Sequence, residues 1–126
     1  MKIAEILNEA LPLSTAKKSN KNSTEQAQIA AVRENGNDIQ FIKNPSEQVR
    51  LAAVNNRAFA IKHIKNPSEQ VQLVAVSKHG DAIKFIKNPS EQVQLAAIEK
   101  VAASIAYIKN PSEQVKVLYK KLYGYK

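Results

Sequence analysis

Lys65-Asn66-Pro67-Ser68-Glu69-Gln70-Val71-Gln72-Leu73-Val74-Ala75-Val76 begins a block that the chain uses repeatedly. The run Lys-Asn-Pro-Ser-Glu-Gln-Val starts at Lys43, Lys65, Lys87 and Lys109, 22 residues apart each time. A weaker copy, Lys21-Asn22-Ser23-Thr24-Glu25-Gln26-Ala27, lies one period earlier. A fixed period of this size marks a stack of small supersecondary units, none of which buries its apolar face alone. The spacing therefore predicts one repeat domain over residues 21–126, with units beginning at 21, 43, 65, 87 and 109.

Within the unit 65–86, Asn66 reads as an N-cap, Pro67 as the first helical position, and Glu69 as the partner of a capping box. The helix then runs through Val71–Val76 to His79, and Gly80 marks its end in a left-handed turn. Asp81 starts a second, shorter helix over 82–86, whose Ile83 and Ile86 fall three apart on one face. Val71, Leu73, Val74, Ala75 and Val76 make the long helix apolar around most of its girth, so neighbouring units must cover it. Ala52, Ala53, Ala75, Ala96 and Ala97 allow those helices to approach closely. No period-2 pattern supports strands, and the recurring Pro opens helices. The expected fold is all-α: an α-solenoid of five long-plus-short helix repeats.

The slot two residues after the first Ile of the short helix holds Phe41, His63, Phe85 and Tyr107. These read as a half-buried ring ladder between units, with His63 as a packed substitute for an aromatic. A base-stacking platform would require the rings to be exposed. At the N-terminus, Ile3, Ile6, Leu7, Ala10 and Leu11 form an amphipathic helix ended by Pro12, a cover for the first unit, and residues 13–20 read as a linker. At the other end Lys120 replaces the Val or Ile of Val54, Val76 and Ile98, and Lys116, Lys120 and Lys121 give a wet face, as a capping repeat requires.

The 126-residue chain contains no Cys, which excludes disulfides and thiolate metal sites. Lys2, Glu5 and Glu9 interrupt the apolar residues of the N-terminal segment, so no export leader is expected. No apolar run reaches membrane-spanning length. These features predict a soluble, cytoplasmic protein. The net charge is +8, concentrated in the unit 43–64 and in residues 109–126. Such a balance favours anionic partners. Lysines outnumber arginines 16 to 3, whereas bidentate phosphate recognition tends to use Arg.

The block Ile86–Ile98, Ile-Lys-Asn-Pro-Ser-Glu-Gln-Val-Gln-Leu-Ala-Ala-Ile, resembles a tandem-repeat family of unknown function found in bacterial and phage proteins. More loosely, it is similar to HEAT-like and leucine-rich-variant repeats. The resemblance covers residues 21–126 and implies a right-handed α-solenoid. It carries over no catalytic residue, because the shared positions are caps and core. The association with phages implies a protein encoded by a virus or mobile element, blocking a host component. Ser23, which stands where the other units have Pro, and residues 1–20 depart from the pattern.

Repeated positions report what the frame needs, and non-repeating ones are free to bind. The candidate surface is Arg50, Gln72, Gln94 and Lys116 on the long helices, Arg57, Lys78, His79 and Lys100 at their ends, and Lys62 and Lys84 on the short helices. Lys21, Lys43, Lys65, Lys87 and Lys109 form a second row beside helix N-termini, where anions are favoured. Glu25, Glu47, Glu69, Glu91 and Glu113 occupy the same ends, so Lys–Glu pairing is expected there. The two His are isolated and no Gly-rich phosphate loop occurs, so no enzyme activity, metal or cofactor is expected. A protein partner bound through the variable rows is the leading expectation. A basic nucleic-acid-binding module is the alternative, followed by self-assembly through the end faces, with a monomer or weak homo-oligomer in solution.

Overall fold

Each of the first four periods folds as a ten-residue α-helix followed by a six-residue 3-10 helix, and the last ends on an eleven-residue α-helix. The computed structural model describes residues 24–124. Along them run α1 (Glu25–Glu34), η1 (Gly36–Phe41), α2 (Glu47–Asn56), η2 (Ala58–His63), α3 (Glu69–Lys78), η3 (Gly80–Phe85), α4 (Glu91–Lys100), η4 (Ala102–Tyr107) and α5 (Glu113–Tyr123). Contacts between elements run within a unit or to its neighbour: α-helix on α-helix, 3-10 helix on 3-10 helix, and each α-helix after the first on the 3-10 helix of the unit before it. That is an all-α solenoid, whose core is a one-dimensional stack. The N-terminal amphipathic helix and linker expected over 1–20 lie outside the described residues, as do Lys21 and Ser23.

Four rows of side chains make the core. Val49, Val71, Val93 and Val115 are completely buried, as are Ala53, Ala75 and Ala97 four residues further along. Val32, Val54, Val76 and Ile98 extend the same stripe, and Ile39, Ile61 and Ile83 face it from the 3-10 helices. Full burial of one such aliphatic side chain contributes about 1.5–3 kcal/mol. Repetition of the row, rather than any single large residue, therefore holds the stack.

The helix starts differ from the sequence expectation. The N-caps are Ser46, Ser68, Ser90 and Ser112, not the Asn two residues earlier. Each Ser hydroxyl accepts the N–H of the third helical residue, as Ser68 does from Val71 at 3.2 Å. Asn44, Asn66 and Asn88 instead adopt φ of 50–52°. Asn tolerates this left-handed region better than other non-Gly residues. Each Asn therefore turns the chain, and the following Pro leads into the Ser cap.

The short element is also different in kind. It is a 3-10 helix, so residues three apart eclipse one another. The Ile83–Ile86 spacing matches that period, and the Ile86 N–H donates to the Ile83 carbonyl at 3.0 Å. Nor does Gly80 end α3 in a left-handed turn. His79 is the C-cap in extended conformation, φ −148°, and buried Gly80 opens η3. Its role is close approach: a Cβ there would stand 2.7 Å from the Ala97 carbonyl oxygen.

Candidate binding surface

The 3-10 helices stack on one another and, with the turns after them, build one face of the solenoid, which carries the non-repeating Lys62 and Lys84. On η3, Lys84 places its ammonium 5.6, 5.4 and 5.5 Å from the ring centroids of Phe59, Phe85 and Tyr107. Lys62, one unit earlier, lies 5.8 Å from the Phe85 ring. Phe59 also meets His79 at 4.6 Å and stands edge-on to Phe85 at 5.7 Å. Three successive units thus contribute to one patch of rings and ammonium groups. An ammonium held over a ring face is attracted by the ring's negative quadrupole.

The rings are more open than a half-buried ladder. Phe41, Phe85 and Tyr107 keep 42%, 37% and 47% of their surface exposed. His63, in the same slot, is half-buried. Burial, then the neighbouring Lys62 charge, lowers its pKa below the ordinary 6.5.

Two grooves at equivalent places flank the patch. One, of about 620 Å³, runs between the third and fourth units, lined by Lys84, Phe85, Lys87, Pro89, Tyr107 and Lys109 among others. The other, of about 230 Å³, lies between the first and second units, against Arg50, His63 and Lys65. Neither lining includes a carboxylate. On another face, a depression of about 630 Å³ between α1 and α2 has Arg33 as its sole cation and no ring.

The glutamates at the helix starts are held away from both grooves. Glu25, Glu47, Glu69 and Glu91 each accept a hydrogen bond from the Ser N-cap of the next unit, at 2.5–2.9 Å. Among the described residues the one Lys–Glu ion pair is Lys116–Glu113, 4.0 Å apart within α5. The pairing of ladder lysines with ladder glutamates therefore gives way to a serine–glutamate row. Asp81 accepts from the Ser104 hydroxyl at 3.1 Å.

Of the expected surface residues, Lys62, His79 and Lys84 converge on the ring patch. Gln72 and Gln94 are half-buried, and their side-chain amides donate to the Pro67 and Pro89 carbonyls, bracing the turns. Arg50 occupies the same repeat position in the smaller groove. The Arg50 Nε and Gln94 Oε1 atoms are buried and lack a hydrogen-bonding partner. Arg57 is exposed at the C-cap of α2. Lys78 and Lys100 are exposed at the ends of α3 and α4, Lys100 beside Ser77 and Glu99 away from the grooves. Lys116 lies on α5.

Phe59 does not stand out in the sequence reading, although it carries a signal. It is a large ring at a slot where the other units have Asn37, Asp81 and Ala103. The described residues contain no cluster of three or more metal-ligating side chains and no helix long and apolar enough to cross a membrane. Comparison with known proteins finds no matching family model, curated protein or solved structure.

Proposed function

We propose that this chain is a non-enzymatic repeat scaffold that holds an extended anionic partner along the face built by its 3-10 helices. The observation that carries the reading is the pair of grooves, lined by lysine, arginine and aromatic side chains and by no carboxylate. Stacking repeats such a surface unit by unit, and that geometry suits a linear partner. An acidic protein segment and a nucleic-acid strand both fit such a face, and the exposure of Phe41, Phe85 and Tyr107 favours the strand.

Amide chemical-shift mapping with a glutamate-rich peptide and with an oligonucleotide tests the face. Perturbations should cluster on η2, η3, η4 and the turns after them. Shifts centred on Ser77, Ala96 and Lys100 would move the site to the helical face and reject the proposal. The suggestion that such a scaffold blocks a host component rests on the resemblance to phage repeats alone. A host protein bound on this face and inhibited by it is the outcome that would support it.

A further inference from the structure

We infer that the occupant of this face is single-stranded nucleic acid, with bases stacked on Phe85 and Tyr107 and phosphates on Lys62, Lys84, Lys87 and Lys109. The inference rests on the scaffold reading above and names its ligand. Recognition of a single strand without base pairing needs a positive track and π-faces along it. Both are present. The rings at Phe41, Phe85 and Tyr107 are exposed on one repeated slot, and the lysines lie between them. Lys84 sits beside both Phe85 and Tyr107, so a base on either ring brings its phosphate to an ammonium already in place.

Further features separate this ligand from an acidic peptide and from a duplex. Lysine supplies charge without a planar fork, which suits tracking of a backbone rather than bidentate readout. Stacking requires unpaired bases, which a duplex does not offer. Gln94 leaves a buried acceptor without a partner in one groove, and Arg50 a buried donor in the other. Polar atoms buried without partners are rare in folded proteins. Base edges carry both donors and acceptors and can satisfy both atoms, whereas the carboxylates of an acidic peptide serve only the Arg50 donor and leave the Gln94 oxygen to a backbone N–H. The glutamate row is absent from both groove linings, because its members are held at the helix starts by Ser46, Ser68, Ser90 and Ser112.

The test uses the full chain and fluorescence anisotropy with labelled single-stranded 15-mers of thymidine and uridine, a duplex of equal length, and an oligoglutamate of similar charge. The single strands should bind most tightly, with a slope of log affinity on log salt of about −3 for roughly four phosphates contacted. Phe85→Ala with Tyr107→Ala keeps every charge and should weaken single-strand binding by about 10-fold or more. The chain has no Trp, so Tyr107→Trp supplies a lone reporter. Its fluorescence should be quenched by the single strands and not by oligoglutamate. This variant also keeps the test decisive if the double alanine variant unfolds. Binding of oligoglutamate as tight as that of the single strands, or a duplex bound equally well, overturns the inference and leaves the scaffold reading standing. Indole fluorescence that stays unquenched when the Tyr107→Trp variant binds a single strand overturns it too. Binding of none of these polyanions overturns both.

Discussion

The Ser90 hydroxyl donates to the Glu69 carboxylate of the preceding unit at 2.9 Å while accepting the Val93 N–H of its own helix at 3.3 Å. One side chain thus caps a helix and ties it to its neighbour. The same joint recurs at Ser46–Glu25, Ser68–Glu47 and Ser112–Glu91. It explains why both residues repeat in the block. A capping box confined to one helix would not need the neighbouring unit, and this arrangement does.

Ser90→Ala should therefore cost more than Glu69→Ala. Loss of a Ser cap costs about 1 kcal/mol. The exposed Ser–Glu bond alone should contribute about 0.5 kcal/mol, at the low end for a net hydrogen bond. Urea unfolding of the two single variants and the double variant measures both. A coupling near zero would mean that the joint adds nothing beyond the cap.

Gly80→Ala should destabilise the stack by about 1–3 kcal/mol, the range for overpacking a closed site. The added Cβ meets the Ala97 carbonyl oxygen at 2.7 Å and Ser104 Oγ at 2.9 Å, and a backbone oxygen cannot swing away. Ala58 and Ala102 occupy the equivalent position in the adjacent units, where the spacing already accommodates a methyl group. Ala102→Gly should cost only about 0.5–1 kcal/mol, mainly through chain entropy. Thermal melts that rank the two the other way would contradict the close-approach role.

Ile83→Ala should cost about 2–5 kcal/mol, because the side chain is 1% exposed and leaves a cavity. Val117→Ala should stay within about 0.5 kcal/mol, since Val117 is 58% exposed on the last helix. In a stack held by neighbour contacts, the Ile83 cavity should raise amide exchange in α3, η3 and α4 first. Uniform loss of protection along the chain would instead indicate a single cooperative unit.

His63 should make stability depend on pH in a known direction. Its folded pKa is lowered from 6.5 by burial and by Lys62, so the unfolded chain takes up its proton first on acidification. The contribution is fully present above the unfolded value and is lost as pH falls from there through the folded pKa. Lys62→Ala removes the second cause and should raise the His63 pKa towards 6.5. An NMR titration of the His63 ring in the two proteins reads this directly. An unchanged midpoint would leave burial as the whole cause.

Much of the candidate site is legible before the fold. Lys62, His79 and Lys84 stand out because they fail to repeat, and the stack brings them together with Phe59 and Phe85. Gln72 and Gln94 also vary with their slot, yet they brace turns. Variation at a position does not distinguish a free side chain from one bonded to its own backbone.

The order of residues alone specifies the 22-residue period, the all-helical units, and the valine, alanine and isoleucine rows of the core, because apolar periodicity and turn residues are local signals. Packing of the units chose Ser68 over Asn66 as the cap, since both are good N-caps and the Ser–Glu bond spans 21 residues. Packing also made Gly80 the point of close approach and left Phe85 and Tyr107 open between lysines. Those outcomes depend on how closely one unit settles on the next, a distance that no single unit contains.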